Sequence, residues 1–263
     1  MKNKKKTLLW KITGKELSGD SFLFGTMHLR DSTAFAHIDL AKKAIQETAV
    51  FATEFDLGDA DPAVFQQALM LPEGQTLSGL LSRSLYARLK KCLQKLGGEE
   101  LLLADTLKPY FFTNFISERM MSEDNSQPLD AALWEYALSE GKIMKGVETF
   151  EEQVAIMYAI PLDYQVKTLK DTILNMSKFK KHLRQTTRLY EEAALDKLHK
   201  AAKKSVKGIR KLMLTDRNHI MADRIHDMTK QSTATFAVGA GHLMGKHGLI
   251  RLLKNKGLSV KPA

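Results

Sequence analysis

The 263-residue sequence predicts an α/β fold with a central mixed sheet and a large, mostly helical middle portion. Three observations support this prediction. Short apolar runs typical of strands concentrate towards the two ends of the chain, and apolar residues three and four positions apart dominate its middle. Near each end, one strand-like run is followed by Gly-x-x-His, a helical segment and a further strand. We therefore expect a sheet built from two related halves with this order.

The first half begins with a predicted β-hairpin. The runs LLWKIT (8–13) and SFLFGT (21–26) are separated by GKELSGD, which is rich in turn residues. A helical pattern follows over residues 36–48, and the β-branched and aromatic run AVFATEFD (49–56) comes next. Strand, helix and strand in this order predict a βαβ-like unit.

We predict a single domain over the whole chain. Its sheet-forming segments cover about 7–56, 142–148 and 233–263, and its helical portions cover about 59–140 and 150–229. One helical pattern spans 76–97, LKPYF (107–111) is predicted to break the helices, and KIMKGVE (142–148) is predicted to be a buried strand. The C-terminal region predicts a strand, a helix over 243–257 and a last strand.

Cysteine content, the N-terminal pattern and the length of the apolar runs indicate the cellular compartment of the protein. The only cysteine, Cys92, excludes an intrachain disulfide, agrees with a reducing compartment and lies in a helical pattern typical of a buried thiol. The lysine-rich start has the charge of a signal peptide but no apolar core, since Lys11 directly follows Trp10. No apolar run approaches the ~20 residues that span a bilayer. We therefore predict a cytoplasmic protein without a transmembrane segment.

The net charge of +10 is concentrated in a basic segment, residues 178–211. Such a segment binds nucleic acid or anionic lipid in some proteins and is a solvated helix surface in others. Because the segment contains no aromatic platform and no known nucleic-acid motif, we favour the solvated surface and expect no nucleic acid as a partner.

Two histidines are the leading candidates for chemistry. His28 and His242 each follow an apolar strand and a glycine, Gly25 or Gly239. We expect the glycines to permit tight turns with unusual dihedral angles and a close approach of the backbone. Ligands bind at the carboxyl ends of strands in open α/β sheets, and imidazole is both a metal ligand and a general base. The pair predicts a site in one crevice; the alternative is that each histidine only caps a turn.

Three acids are candidates beside them. Glu54 ends the strand that follows the first histidine, so two imidazoles and one carboxylate form a set typical of a hydrolytic metal site. Glu148 follows a strand and is a further ligand, a general base or an orienting residue, or else an acid at a helix N-terminus with Thr149 as the cap. Asp130 has the context of a helix N-cap or first-turn acid.

Arg217 and Asn218 are candidates for substrate binding, with a surface or structural ion pair as the alternative for the arginine. The remaining histidines have no comparable context, and we assign them no site role: His37, His182, His199, His219, His226 and His247. The motifs H-E-x-x-H, G-x-S-x-G, the P-loop and the dinucleotide-binding glycine loop are all absent from the sequence.

Five ordered blocks resemble the TraB/GumN family, which includes the Tiki-type proteins. They are the hairpin with its GTMH turn, ATEFD, LDAALWEYALSEGKIMKGVETFEEQ, LTDRNHIMADRI and FAVGAGHLMGKHGLIRLLKNKGLSV. The resemblance runs from Leu8 to Val260. It implies an α/β fold with two related halves, each bearing Gly-x-x-His. The Tiki branch is described as metal-dependent proteases, whereas other branches are tied to peptide pheromone shutdown or have no settled activity.

The resemblance also implies roles for individual residues. The family's two histidines fall on His28 and His242 and its glutamate on Glu54. Its further acids fall on Asp130 and Glu148, and its Arg-Asn pair on Arg217 and Asn218. Tiki proteins are membrane-anchored and face outside, which this sequence does not match in its N-terminal pattern.

Together these observations predict a metal-dependent hydrolase, metalloprotease-like, that cleaves a peptide or amide bond by a metal-activated water. His28, Glu54 and His242 are the predicted ligands of a divalent ion, for which Mn, Co and Zn are equally suitable. Glu54, Glu148 or Asp130 takes the proton, and Arg217 binds substrate or the oxyanion. The alternative function is a protein that binds a peptide or small ligand in the same crevice without cleaving it.

Overall fold

A computed structural model describes residues 6–263, apart from the side chain of Leu102. The lysine-rich start that entered the localisation prediction therefore lies largely outside the described residues. The described strands are β1 Leu9–Thr13, β2 Ser21–Thr26, β3 Val50–Phe55, β4 Ile143–Glu148, β5 Ala234–Gly239 and β6 Ser259–Pro262. The described α-helices are α1 Ile38–Gln46, α2 Pro62–Ala68, α3 Leu77–Leu80, α4 Arg83–Lys95, α5 Pro109–Arg119, α6 Leu129–Ser139, α7 Phe150–Ala159, α8 Leu162–Leu174, α9 Met176–Glu191, α10 Leu195–Ser205, α11 Arg217–Gln231 and α12 Leu249–Asn255.

The strands form one mixed sheet in the order β4-β3-β5-β2-β1-β6. The four strands from β4 to β2 run parallel, while β1 is antiparallel to both β2 and β6. The predicted α/β class with a mixed sheet is thus confirmed, as is the N-terminal hairpin. The relation between the two Gly-x-x-His halves stays a prediction.

The chain divides into two compact units. The first contains the described residues up to Ala60 together with Asp124–Gln153 and Thr186–Ala263, and the second contains Asp61–Glu123 and Val154–Gln185. The whole sheet belongs to the first unit. The prediction of a single domain over the chain stays a prediction.

The core of the first unit lies on both faces of the sheet. Every residue of β2 is buried, and so are most residues of β3 and β5, which a strand between two helical layers requires. Helices α1 and α6 contact each other and the strands β3 to β5, while α11 and α12 contact each other and the strands β4 to β6. Helices on both faces of the sheet therefore surround the strand ends that carry the candidate residues.

The order strand, helix, strand of the βαβ-like unit is present as β2, α1 and β3, with β5 lying between the two strands in the sheet. Some predictions about the first unit were wrong in detail. The strand β4 is at the sheet edge, and its N-terminal part is exposed rather than buried. The predicted helix over 243–257 is helical only over Leu249–Asn255, because Gly245 has a positive φ of 98° and closes a turn before it.

The second unit is helical, as predicted for these segments, and has its own core of leucine-rich side chains. The helical pattern over 76–97 is broken at Leu81, which is extended, because Ser82 caps the first turn of α4 through the Leu85 N–H. Pro109 begins α5 rather than only ending a helix, since proline is tolerated in the first helical turn. Cys92 is buried in this core, as predicted, and burial raises the pKa of its thiol.

Among residues 6–263, the structure contains no helix whose length and apolar character would let it cross a bilayer.

The lack of a side chain at Gly146 lets the backbone at the ends of β3 and β4 pack closely. A Cβ at Gly146 would overlap the backbone N of Asp56 and the backbone O of Glu148. We expect Gly146→Ala to lower the free energy of unfolding by about 1–3 kcal/mol, because the backbone itself must move. Urea unfolding followed by tryptophan fluorescence measures this, since both tryptophans, Trp10 and Trp134, lie in the first unit.

The matched control is Gly58→Ala, which lies in the exposed turn that follows β3. A Cβ there meets only the Asp56 carboxylate, at 3.1 Å, and we expect a change within about 0.5 kcal/mol. Equal stability of the two variants would show that Gly146 is not needed for close packing.

Candidate functional site

The predicted site residues lie along the carboxyl edge of the sheet, which is the side on which the four parallel strands β4, β3, β5 and β2 end. Glu148 is the last residue of β4 and Glu54 the last but one of β3. His242 follows the end of β5 in a short 3-10 turn, and His28 follows the end of β2. The strand order therefore sets their order along the edge, and α6 and α11 add Asp130, Arg217 and Asn218.

Glu54 is surrounded by donors and positive charge. Its Oε1 accepts the Gly239 N–H at 2.8 Å, its Oε2 accepts from Arg217 Nη2 at 2.5 Å, and His242 Nε2 lies 3.8 Å from Oε1. Burial by itself would raise the pKa of Glu54. His242, Arg217 and the Gly239 N–H outweigh burial and lower this pKa to about 2. Glu54 is therefore a carboxylate at neutral pH, with 27% of its side chain exposed.

Arg217 joins Glu54 to Glu148. Its Nε donates to the two carboxylate oxygens of Glu148 at 3.0 and 3.2 Å, and its Nη2 donates to Glu148 Oε2 at 2.6 Å. The side chains of Arg217 and Glu148 are buried, and the Gln153 amide also donates to Glu148. Burial raises the pKa of Glu148 although Arg217 opposes the shift, whereas the two carboxylates raise the pKa of Arg217 despite its burial. The two acids at this edge therefore differ in pKa, and Glu148 is the more readily protonated.

Asn218 fixes the protonation pattern of His242. The Asn218 Nδ2 donates to the carbonyl groups of His242 and His247, at 3.3 and 2.6 Å, so Oδ1 is the atom that faces His242 Nδ1 at 2.5 Å. Because Oδ1 only accepts, Nδ1 carries the hydrogen and the lone pair of neutral His242 is on Nε2. Burial lowers the pKa of His242 to about 4, although Glu54 raises it. At neutral pH an unprotonated Nε2 thus faces the Glu54 carboxylate.

The two glycines act by close packing. A Cβ at Gly25 would lie 2.8 Å from Leu243 Cδ1, and one at Gly239 would lie 3.1 Å from Glu54 Oε1. The expectation of unusual dihedral angles was wrong, since neither glycine has a positive φ. The expected close approach is present instead, because each glycine lets a neighbouring segment reach the strand end.

His28 has a different environment from His242. Its side chain is 69% exposed, and its Nδ1 lies 3.2 Å from Asp130 Oδ2. Asp130 is in the first turn of α6, whose N-cap position is Pro128, so its first-turn prediction is confirmed and its N-cap prediction is wrong. The two Gly-x-x-His segments therefore deliver one buried and one exposed imidazole.

The structure gathers these residues into two groups. Glu54, Glu148, Arg217, Asn218 and His242 form the first group, in which Arg217 pairs with both glutamates, Asn218 bonds to His242, and His242 Nε2 lies 3.8 Å from Glu54 Oε1. His28 and Asp130 form the second group, after the end of β2. Within residues 6–263, no three His, Cys, Asp or Glu side chains come together as a ready metal-binding cluster. Glu54 and His242 offer ligand atoms that suit a divalent ion, because the carboxylate is ionised and the imidazole has its lone pair on Nε2.

A model of the TraB/PrgY/gumN family matches residues 8–262. The chain belongs to the TraB/PrgY/gumN family. This confirms the resemblance noted in the sequence, whose ordered blocks cover nearly the same range.

Curated relatives of this TraB/PrgY/gumN chain are named metalloproteases. Metalloprotease TIKI2 of Danio rerio is 24% identical over 97% of this chain and 60% of its own length. Metalloprotease TIKI1 of Xenopus tropicalis and that of Danio rerio are each 23% identical over 97% of this chain, and over 61% and 63% of their own lengths. The chain thus spans about three fifths of these relatives. No solved structure matches it.

Sequence reasoning missed three side chains that support the site of this family member. Gln153 donates to Glu148, the Tyr190 hydroxyl donates to the Gly25 carbonyl at 2.8 Å, and His199 Nδ1 lies 3.3 Å from the Gly241 carbonyl. Tyr190 and His199 come from α9 and α10, within the basic segment, and burial lowers the pKa of His199. No local motif marks them, because each contacts a strand end far away in sequence.

The buried arginine gives a direct stability prediction. We expect Arg217→Met to lower the free energy of unfolding by about 3–5 kcal/mol, because two carboxylates are left at the edge without their cation. Urea unfolding at pH 7, followed by tryptophan fluorescence, measures the loss. Adding Glu148→Gln to this variant should restore part of it, since one uncompensated buried charge is then removed.

Arg224→Met is the matched control. Arg224 pairs with Glu152, and the two side chains are 38% and 35% exposed, so we expect a loss of about 0–1 kcal/mol. Similar losses for the two arginine variants would contradict a special role of the buried network.

His242 predicts a pH dependence of stability. A folded-state pKa of about 4, below the usual 6.5, means that the unfolded chain binds a proton more readily as the pH falls between these values. Stability contributed by His242 is therefore complete above pH 6.5 and is lost as the pH approaches 4. We expect His242→Gln to remove on the order of 2–3 kcal/mol of the pH dependence between pH 7 and 4.5.

The measurement is urea unfolding by tryptophan fluorescence, with a chelator present so that no metal competes for His242. His226→Gln is the control for replacing a histidine elsewhere in the same unit. A pH dependence in His242→Gln that equals that of the wild type would contradict the depressed pKa.

Proposed function

We propose that this chain is a metal-dependent hydrolase that cleaves peptide or amide bonds. The observation that carries the proposal is the neutral His242, whose Nε2 lone pair faces ionised Glu54 at the carboxyl edge of the parallel strands. Two such donors on neighbouring strands are suited to a divalent ion of the Mn, Co or Zn class. The relatives named metalloproteases support a peptide as the substrate class.

In this proposal Glu54 and His242 supply two ligands, and His28, after the adjacent strand β2, supplies the third. Such an ion polarises a carbonyl group and lowers the pKa of a water molecule. Asp130 orients the imidazole of His28 through Nδ1, as Asn218 does for His242. Both histidines are thereby held with their Nε2 atoms as the donors.

Glu148 and Arg217 have separate roles in this proposal. Glu148 holds a proton more readily than Glu54, so we assign proton transfer to Glu148 and ligation to Glu54. Arg217 keeps the two acids in place through Nε and Nη2. Its Nη1 is the donor that we assign to the substrate carbonyl.

The alternative proposal is a protein that holds a peptide at the same edge without cleaving it. Two observations favour this alternative. Both Glu54 oxygens already accept hydrogen bonds from protein groups, and no three-donor cluster is preformed among the described side chains. Metal content and cleavage must therefore be measured separately.

The first experiment measures metal content by mass spectrometry after incubation with Mn, Co or Zn and dialysis. We expect about one ion per chain at this edge, and a large loss in Glu54→Ala and His28→Ala. The control is His226→Ala, which should keep the ion. Unchanged metal binding in both Glu54→Ala and His28→Ala would rule out the proposed centre.

The second experiment incubates the metal-loaded protein with a mixed peptide library and identifies products by mass spectrometry. Cleavage by the wild type and its loss in Glu54→Ala would support the hydrolase. Peptides that bind tightly but are recovered intact would instead favour the binding protein.

A further inference from the structure

A second pair of histidines lies outside the proposed centre. His219 is the third residue of α11, and His247 lies in the turn before α12. The His219 Nε2 atom is 3.3 Å from His247 Nδ1, and the ring centroids are 5.6 Å apart with an interplanar angle of 56°. Both residues are exposed, so packing against a core does not force the two rings together.

The separation of the two nitrogens fits a shared ion. Zinc–nitrogen bonds are about 2.0–2.1 Å, so two imidazole nitrogens on one tetrahedral ion lie about 3.3–3.4 Å apart. The pair already has this nitrogen–nitrogen spacing, and both rings turn on binding so that their lone pairs point at one ion instead of at each other. An N–H···N hydrogen bond has a similar length, which makes it the competing explanation.

The backbone under the pair is held in place. Asn218, next to His219, donates from Nδ2 to the carbonyl of His247 at 2.6 Å. The turn that carries His247 is closed by the Gly248 N–H, which donates to the Gly245 carbonyl at 3.2 Å, with Gly245 at a positive φ of 98°. The two imidazoles are therefore presented by fixed backbone segments, so little ordering of the backbone is needed on binding.

We propose that His219 and His247 form a separate binding site for an imidazole-preferring divalent cation such as Zn²⁺, Cu²⁺ or Ni²⁺. Hard, oxygen-preferring cations such as Mg²⁺ and Ca²⁺ are excluded by the nitrogen donors. The described structure adds no third His, Cys, Asp or Glu to the pair, so water completes the coordination and the affinity is modest. The proposal does not depend on the proposed function, because it uses none of His28, Glu54 or His242.

The site has a consequence for His242. Asn218 bonds both to His242 and to the backbone of His247, so an ion on the pair ties α11 to the turn that follows His242. Because the ion binds only the folded arrangement, it stabilises the first unit by an amount that rises with the logarithm of the free ion concentration once this exceeds the dissociation constant.

The test titrates tag-free protein with Zn²⁺ by calorimetry and follows the histidine ring nitrogens by ¹⁵N NMR. We expect the wild type to bind an ion that shifts His219 Nε2 and His247 Nδ1. His219→Gln and His247→Gln should each weaken this binding about tenfold or more, since one of two protein donors is lost. His226→Gln, on the same helix, is the matched control and should bind as the wild type does.

A further variant separates this site from the proposed centre. His242→Ala should keep the ion on His219 and His247, because neither donor is changed. Loss of all Zn²⁺ binding in His242→Ala, with no effect of His219→Gln or His247→Gln, would overturn the second site and leave the proposed function standing. Ring nitrogens of His219 and His247 that do not respond to Zn²⁺ would show that the pair is only a hydrogen bond.

Discussion

The buried guanidinium of Arg217 is the interaction on which the rest of the site depends. It lies between Glu54 and Glu148, which end adjacent parallel strands, and it enters from the first turn of α11. Without this cation, two carboxylates at the edge of the sheet would repel each other while one of them is buried. The ion pairs therefore fix the ends of β3 and β4 relative to α11, and they place Asn218, the next residue, beside His242.

This arrangement decides which groups carry protons at neutral pH. Glu54 is kept ionised by Arg217 and the Gly239 N–H, whereas burial makes Glu148 easier to protonate. Burial also keeps His242 neutral, and Asn218 directs its hydrogen to Nδ1. A pair of acids with separated pKa values beside a neutral imidazole is the kind of environment from which acid–base chemistry is built.

The two Gly-x-x-His segments show how one local pattern takes two forms. Both glycines are needed because a neighbouring segment packs against the strand end, at Leu243 for Gly25 and at Glu54 for Gly239. The histidines that follow differ, since a 3-10 turn brings His242 under α10 and α11, while His28 stays in an exposed loop beside Asp130. The pattern identified both positions, but the surroundings of each depend on the helices that pack over the strand ends.

The sequence by itself determined the α/β class, the strands and most helices, the family and the positions of the candidate residues. These follow from apolar periodicity, turn residues and motifs, which are local in the chain. Only the tertiary structure decided that β5 lies between β2 and β3, that Arg217 joins Glu54 and Glu148 across 163 and 69 residues, and that His219 meets His247. Such contacts depend on strand order and helix packing, because a side chain carries no local mark of the distant partner that neutralises its charge or accepts its hydrogen bond.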